Sequence, residues 1–184
     1  MTQCAVTVNE RGFRSLMSRF ATGVTVVTSS GADGPAGMTA NAVASLSLDP
    51  ILVMIGFELE SRTLAAVMHS HRFAVNVLAS DQEQVSRTFA GKQPEREKFA
   101  GYAYTERAGV PLLEGTIAWM HCELVSVYPG GDHVIVVGSV VDMGENSGEP
   151  LLFYGGDYRR LDSDAGADRF RTARRRGRPG RVAR

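Results

Sequence analysis

Residues 117–143 read IAWMHCELVSVYPGGDHVIVVGSVVDM. β-branched and aromatic residues fill both arms, and Pro129, Gly130, Gly131 and Asp132 stand between them, so a long antiparallel hairpin is expected. Working outward, ILVMIGF (51–57) and RFAVNVLA (72–79) are short apolar runs of buried-strand type. GVTVVTSS (23–30) and AGMTANAVASLS (36–47) read as two strands about the turn GADGP, and LLFYGGDYRRL (151–161) supplies a last one. About seven strands with hairpin connections predict a mainly β chain, a closed antiparallel barrel with a few short helices, over a doubly wound parallel sheet.

Three stretches carry helical signals. In NERGFRSLMSRF, Phe13, Leu16, Met17 and Phe20 fall at i, i+3, i+4 and i+7, with Asn9 as a cap. SRTLAAVMHS starts on Ser61, and DQEQVSRTFAG is expected to start on Asp81 with Gln84 at a capping-box position. The polar segment 92–109, which contains both lysines of the chain, reads as a surface loop.

The chain has 184 residues, 43% of them hydrophobic, enough for one domain with a real core. Its formal charge of zero conceals a division. Arg169 to Arg184 contains eight arginines and no acid, leaving 12 basic against 20 acidic residues in the rest, a formal −8. An acidic body argues against nucleic acid as a partner, because phosphate binding draws on Lys and Arg. We expect a single domain over 1–161 and a disordered Arg-rich tail over 162–184, where apolar periodicity disappears. Cys4 and Cys122 form no CxxC or zinc spacing, which fits a reducing compartment. No apolar run reaches membrane-spanning length and no basic-then-apolar leader opens the chain, so a cytoplasmic protein without a membrane partner is expected.

A series of blocks, FATGVTVVTS, GMTANAVASLSLDP, FAVNVLASDQ, SRTFAG, YPGGDHVIVVGSV and PLLFYGGDYRRL, resembles in order the short-chain flavin reductase family. These are the reductase partners of two-component flavin-dependent monooxygenases. The resemblance runs from about Phe13 to Leu161. It implies an FMN-binding split barrel, a homodimer, and hydride transfer from NADH or NADPH to FMN or FAD, with the reduced flavin passed to a partner monooxygenase. The GDH and TAN blocks argue against a pyridoxamine-phosphate-oxidase-like split barrel; a non-enzymatic flavin carrier is the other alternative.

Several residues could serve a flavin. In an extended strand Thr39, Asn41 and Ser45 project to one face while Met38, Ala40 and Ala42 project to the other, and a row of polar groups wants a polar partner. The resemblance places this region, Ala40 and Ala42 included, along the flavin. Ser61, Arg62 and Thr63 open a helix, where free amides and the helix dipole favour an anion such as the FMN phosphate. The resemblance adds Ser86 and Phe89 near the flavin and Lys98 as the cation for its phosphate. Asn76 lies in an apolar strand, where its amide needs satisfaction from a structural hydrogen bond or from the flavin. His133, after Gly130, Gly131 and Asp132, corresponds to the histidine that approaches the nicotinamide, as a positioning group and not a base; Tyr158 corresponds to a late aromatic near the bound nucleotide. His69, His71 and His121 form no metal set, and no GxGxxG opens a Rossmann unit.

Overall fold

A computed structural model of the chain describes residues 8–161; the expected tail at 162–184 and Cys4 lie outside the described residues. The elements in chain order are α1 (Glu10–Met17), β1 (Thr22–Gly23), β2 (Thr25–Gly31), β3 (Gly34–Ala40), β4 (Val43–Leu48), β5 (Ile51–Glu58), α2 (Arg62–Ser70) and β6 (Arg72–Val77). They continue with α3 (Glu83–Ala90), α4 (Glu95–Phe99), β7 (Tyr104–Arg107), β8 (Val110–Leu113), β9 (Ala118–Gly130), β10 (His133–Glu145), β11 (Leu152–Tyr154) and β12 (Asp157–Arg159). The long hairpin is β9 and β10, paired from Gly130 with His133 to Ala118 with Glu145, with two register shifts on the way.

Seven strands form one antiparallel sheet in the order β3-β2-β6-β9-β10-β5-β4. Here the expectation for 36–47 needs correction. That stretch is two strands and not one, and they are the two opposite edges of the sheet. Ala40 pairs with Thr25 at one edge and Val43 pairs with Ile55 at the other, with only Asn41 and Ala42 between them. Such a link spans about 10 Å at most. The accumulated twist therefore curls the sheet until its edges nearly meet. Among the described residues no ladder joins β3 to β4, so the expected closed barrel is not seen as a closed sheet: the chain at this corner, and no hydrogen-bond ladder, links the two edges.

Side chains alternate across β2 and divide the core. Val27 packs inside the curled sheet with Ile55, Phe57, Phe73, Val75 and Val136, under Leu64 and Val67 of α2. Val26 packs on the other side with Leu78, Val85, Phe89, Phe99, Leu113 and Leu151. Ile55, Phe57 and Phe73 have no exposed surface; each stabilises the fold by about 2 kcal/mol.

Of the four described helices, α1 and α2 start on a side-chain cap, and α3 and α4 do not. The Asn9 side chain accepts from the Gly12 amide, and Ser61 Oγ accepts from the Leu64 amide. Asp81 does not cap α3, which begins two residues later; Gln82 instead accepts from the Ala79 amide and donates to the Glu114 carbonyl, fixing the turn into the helix. The expected loop at 92–109 holds α4 and β7, because Phe99 and Tyr104 pack edge-on and draw the segment onto the second core. α1 is amphipathic as expected, but it buries none of its residues: Phe13, Leu16, Met17 and Phe20 are all at least half exposed. No described helix is long and apolar enough to cross a membrane.

Candidate functional site

The corner where the sheet edges meet forms one wall of a cavity of about 580 Å³. Thr39, Ala40, Asn41 and Ala42 come from the β3–β4 junction, Gly56 and Glu58 from β5, Ser61, Arg62 and Thr63 from the start of α2, Phe89 to Lys92 from the end of α3, Glu95 and Lys98 from α4, and His133 from the tip of the long hairpin. Ten residues proposed from sequence are thus brought together: Thr39, Ala40, Asn41, Ala42, Ser61, Arg62, Thr63, Phe89, Lys98 and His133.

Four others do not line it. Ser45 is exposed on the edge strand β4, because the break after Ala40 ends the alternation that would have aligned it with Thr39 and Asn41. Asn76 is fully buried elsewhere: its amide donates to the Val26 carbonyl and to Thr28 Oγ1, and its oxygen accepts from the Leu113 amide. That satisfies the group and makes its role structural. Ser86 and Tyr158 stand behind the cavity. Their hydroxyls lie 2.8 Å apart, and the Ser86 carbonyl accepts from Thr39 Oγ1 at 2.6 Å. They brace Thr39 from outside.

Lys98 lines the cavity but is committed. Its Nζ donates to the Gly37 carbonyl at 3.0 Å and lies 3.1 Å from Glu95 Oε1, with the side chain only 5% exposed. Glu95 Oε2 accepts from the Gly37 amide, and Oε1 also lies 3.1 Å from Arg62 Nε. β3 is an edge strand with backbone groups that no neighbouring strand takes up, and this buried pair satisfies them. Lys98 therefore reaches the cavity already holding Gly37, with Glu95 as an acid it shares with Arg62. Lys92, exposed at the rim, has no acid partner among the described residues.

The remaining chemistry suits an anionic, planar ligand. Arg62 is held by Glu95 and by the Lys92 and Gln93 carbonyls, so its charge is fixed at the first turn of α2, where amides and dipole also favour an anion. Thr63 is 1% exposed, yet its hydroxyl has no protein partner among the described residues. A nearly buried polar group lining a cavity fits a ligand acceptor. The Asn41 side chain has no protein partner among the described residues either. Small residues leave flat space beside it: a Cβ on Gly56 would lie 3.3 Å from that of Ala42. Gly37 has its own requirement, since a Cβ there would come 2.7 Å from the Phe89 ring.

His133 closes the mouth. It pairs across the sheet with Glu58, and its Nδ1 lies 2.8 Å from Asp132 Oδ1. The hydrogen bond with His133 holds the Asp132 carboxyl below its ordinary range, so at neutral pH the carboxylate can only accept. Nδ1 is then the donor of this pair, and in the tautomer so fixed Nε2 is an acceptor.

A family model described as flavin reductase like domain matches residues 17–162. The chain belongs to the flavin reductase-like family. Among its relatives, a reductase subunit of a flavin-dependent monooxygenase from Mycobacterium tuberculosis is 40% identical over 161 residues, covering 85% of each chain. An NADH-dependent flavin reductase from a Rhodococcus species is 40% identical over 154 residues, covering 81% of this chain and 85% of that one. The solved structure of a Streptomyces globisporus NADH:FAD oxidoreductase with NAD and FAD fragments is similar at a TM-score of 0.83 and 36% identity, over 89% of this chain and all of that one. The flavin reductase of a Pseudomonas putida styrene monooxygenase matches at 0.75 and 32%, over 82% and 97%.

For this flavin reductase-like chain the residues that sequence reading missed are Glu95, Gly37 and Gly56. The i, i+3 spacing of Glu95 and Lys98 was the available signal for an ion pair. Nothing local signalled that both would close on Gly37, nearly sixty positions earlier in the chain.

Proposed function

We propose that this chain is an NAD(P)H-dependent flavin reductase that reduces FMN or FAD in the cavity at the β3–β4 junction and supplies reduced flavin to a separate monooxygenase component. The carrying observation is the convergence there of the α2 N-terminus, the unpartnered Thr63 hydroxyl, the small-residue wall and His133. When bound, the flavin supplies a ring that accepts hydride from reduced nicotinamide and then departs in reduced form.

The protein's part is binding and orientation. Arg62, Lys92 and the first-turn amides of α2 hold the flavin phosphate, with Thr63 Oγ1 as a further donor. Asn41 and the chain at Ala40 and Ala42 meet the polar edge of the ring, and Phe89 packs under the same wall. His133 Nε2 accepts from the carboxamide of the nicotinamide and sets its orientation, while Asp132 holds the imidazole in that tautomer. No protein base is required, because hydride transfer moves no proton through His133.

Three further features belong to this reading: a split barrel completed at the Asn41–Ala42 corner, a cytoplasmic location, and a homodimer. Exposed Phe13, Leu16 and Met17 on α1 and Phe20 just after it, with Leu48 at 88% exposure on β4, support the dimer, since apolar groups of this size in numbers mark an interface.

The test is NADH and NADPH oxidation by the purified protein as FMN, FAD or riboflavin is added. Turnover that saturates with flavin, leaving protein free of flavin after gel filtration, supports a reductase that treats flavin as substrate. A protein that binds flavin but oxidises neither nucleotide is a carrier, and the reading fails.

A further inference from the structure

The flavin cavity is electrically divided along its length. Arg62, Lys92 and Lys98 line one end together with the first turn of α2, and the single acid among them, Glu95, is shared by Arg62 and Lys98. The other end, around His133, is lined by Glu58 and Glu60. Both are exposed, and neither side chain has a hydrogen-bond or ion-pair partner among the described residues. Asp132 stands beside this end with its carboxylate held by the His133 ring and within the field of Arg14.

Of the two lining acids, Glu58 has its place fixed. It is the last residue of β5 and pairs directly with His133, the first of β10. Opposite residues of an antiparallel pair share a face, with Cβ atoms about 5 Å apart. The Leu59 amide donates to the Asp132 carbonyl at 3.2 Å and ties this strand end to the hairpin tip. A ring held by His133 therefore lies beside the Glu58 carboxylate. Glu60, in the turn before the Ser61 cap, stands beyond the ladder.

We infer that Glu58 stabilises the positive charge that the nicotinamide ring acquires as it gives up hydride. The inference rests on the reading that His133 places the nicotinamide. In the transfer the C4–H bond of the reduced nicotinamide breaks and an N–H bond forms at N5 of the flavin, and both electrons of the broken bond travel with the hydrogen. The nicotinamide is left as a pyridinium cation, and the negative charge passes to the flavin. A fixed carboxylate beside the first ring, with cations towards the far end of the second, favours that displacement. The effect is greater in the transition state than in the ground state, where the nicotinamide ring is neutral. For the same reason Glu58 holds the oxidised ring more tightly than a neutral one.

The experiment compares wild type with Glu58→Gln in the presence of oxidised FMN. Calorimetry gives the dissociation constants of NAD+ and of tetrahydro-NAD, whose neutral ring cannot give up hydride. Glu58 is exposed, so the substitution leaves the fold unchanged. NAD+ should bind roughly three- to ten-fold more weakly to the variant, while tetrahydro-NAD changes by less than about two-fold. Stopped-flow reduction of FMN at saturating NADH should slow by a similar factor. Equal changes for the two ligands, or none, overturn the role of Glu58. His133→Ala is measured alongside: if it leaves both dissociation constants unchanged, the placement of the nicotinamide itself fails. If it weakens both while Glu58→Gln treats the two ligands alike, only the role of Glu58 fails.

Discussion

Lys98 Nζ lies 3.1 Å from Glu95 Oε1, and the two side chains close on opposite backbone groups of Gly37, the amide to Glu95 and the carbonyl to Lys98. An ion pair from a five-residue helix thereby does for β3 what a neighbouring strand would have done, and it fixes the wall from which Thr39 to Ala42 face the cavity.

Breaking that pair tests whether Lys98 holds the strand or the phosphate. Lys98→Met leaves the Glu95 carboxylate beside Arg62 alone and strips the Gly37 carbonyl of its donor. The expected loss of stability is about 3 kcal/mol, read from urea midpoints. FMN and riboflavin KM should change by the same factor. A rise confined to FMN would restore Lys98 as a phosphate ligand.

How far the sequence was legible follows from this corner. The long hairpin, the strand at 51–57 and the capped helices could be read because period-two patterns and caps are local. Thr39 and Asn41 stood out as polar groups on one face of an extended strand and Ser61 and Thr63 as an anion site at a helix start, while the role of His133 came through the family blocks. The stretch 36–47 misled because nothing in its composition marks the step from one sheet edge to the other, and Ser45 was lost with it. The burial of Lys98 was hidden for a related reason: its partner Gly37 is 61 residues away, and a charge in a polar segment gives no local sign of burial.

His133→Ala removes the acceptor at the mouth while leaving the flavin wall intact. The nicotinamide KM should rise about ten-fold, with flavin binding measured by fluorescence quenching little changed. Asp132→Ala should raise the same KM by less, since the ring keeps its place but not its tautomer. An equal loss of flavin and nicotinamide binding in His133→Ala would contradict the positioning role.

His121 gives the protein an acid-sensitive core. It is 5% exposed, Nε2 has no hydrogen-bond partner, and burial followed by the Arg72 charge lowers its pKa from the ordinary 6.5; Asp142, Glu123 and Arg107 are the other charges that act on it. The unfolded chain therefore takes up the proton first. Its contribution is complete above the ordinary histidine value and drains away as pH falls from there through the lowered folded value. Urea midpoints at about pH 8 and about pH 5 should show a smaller acid loss in His121→Gln than in wild type. Parallel pH slopes in the two proteins would remove His121 from the account.

Cys122, without exposed surface, has its thiol pushed up to about 12 by burial. In a Cys4→Ser background the native protein should show no thiol reactive towards a disulfide reagent at mildly alkaline pH until it is unfolded. The raised value also means that the thiol favours the fold below its ordinary value of 9.0, and that this contribution is lost between there and about 12. Cys122→Ala should therefore lose less stability than wild type across that range. A fast-reacting thiol in the native protein would contradict the burial.

If flavin is reduced in the cavity at the β3–β4 junction, blocking that cavity must stop the reaction. Ala42 lines it and is exposed, so Ala42→Phe fills the space beside Gly56 without entering the core. The measurement is steady-state NADH oxidation against FMN concentration for wild type and Ala42→Phe, with circular dichroism to confirm an unchanged fold. Wild type should show saturable turnover, and the variant an FMN KM raised at least about ten-fold. Unchanged flavin-dependent turnover with the cavity filled would place the reaction elsewhere on the protein.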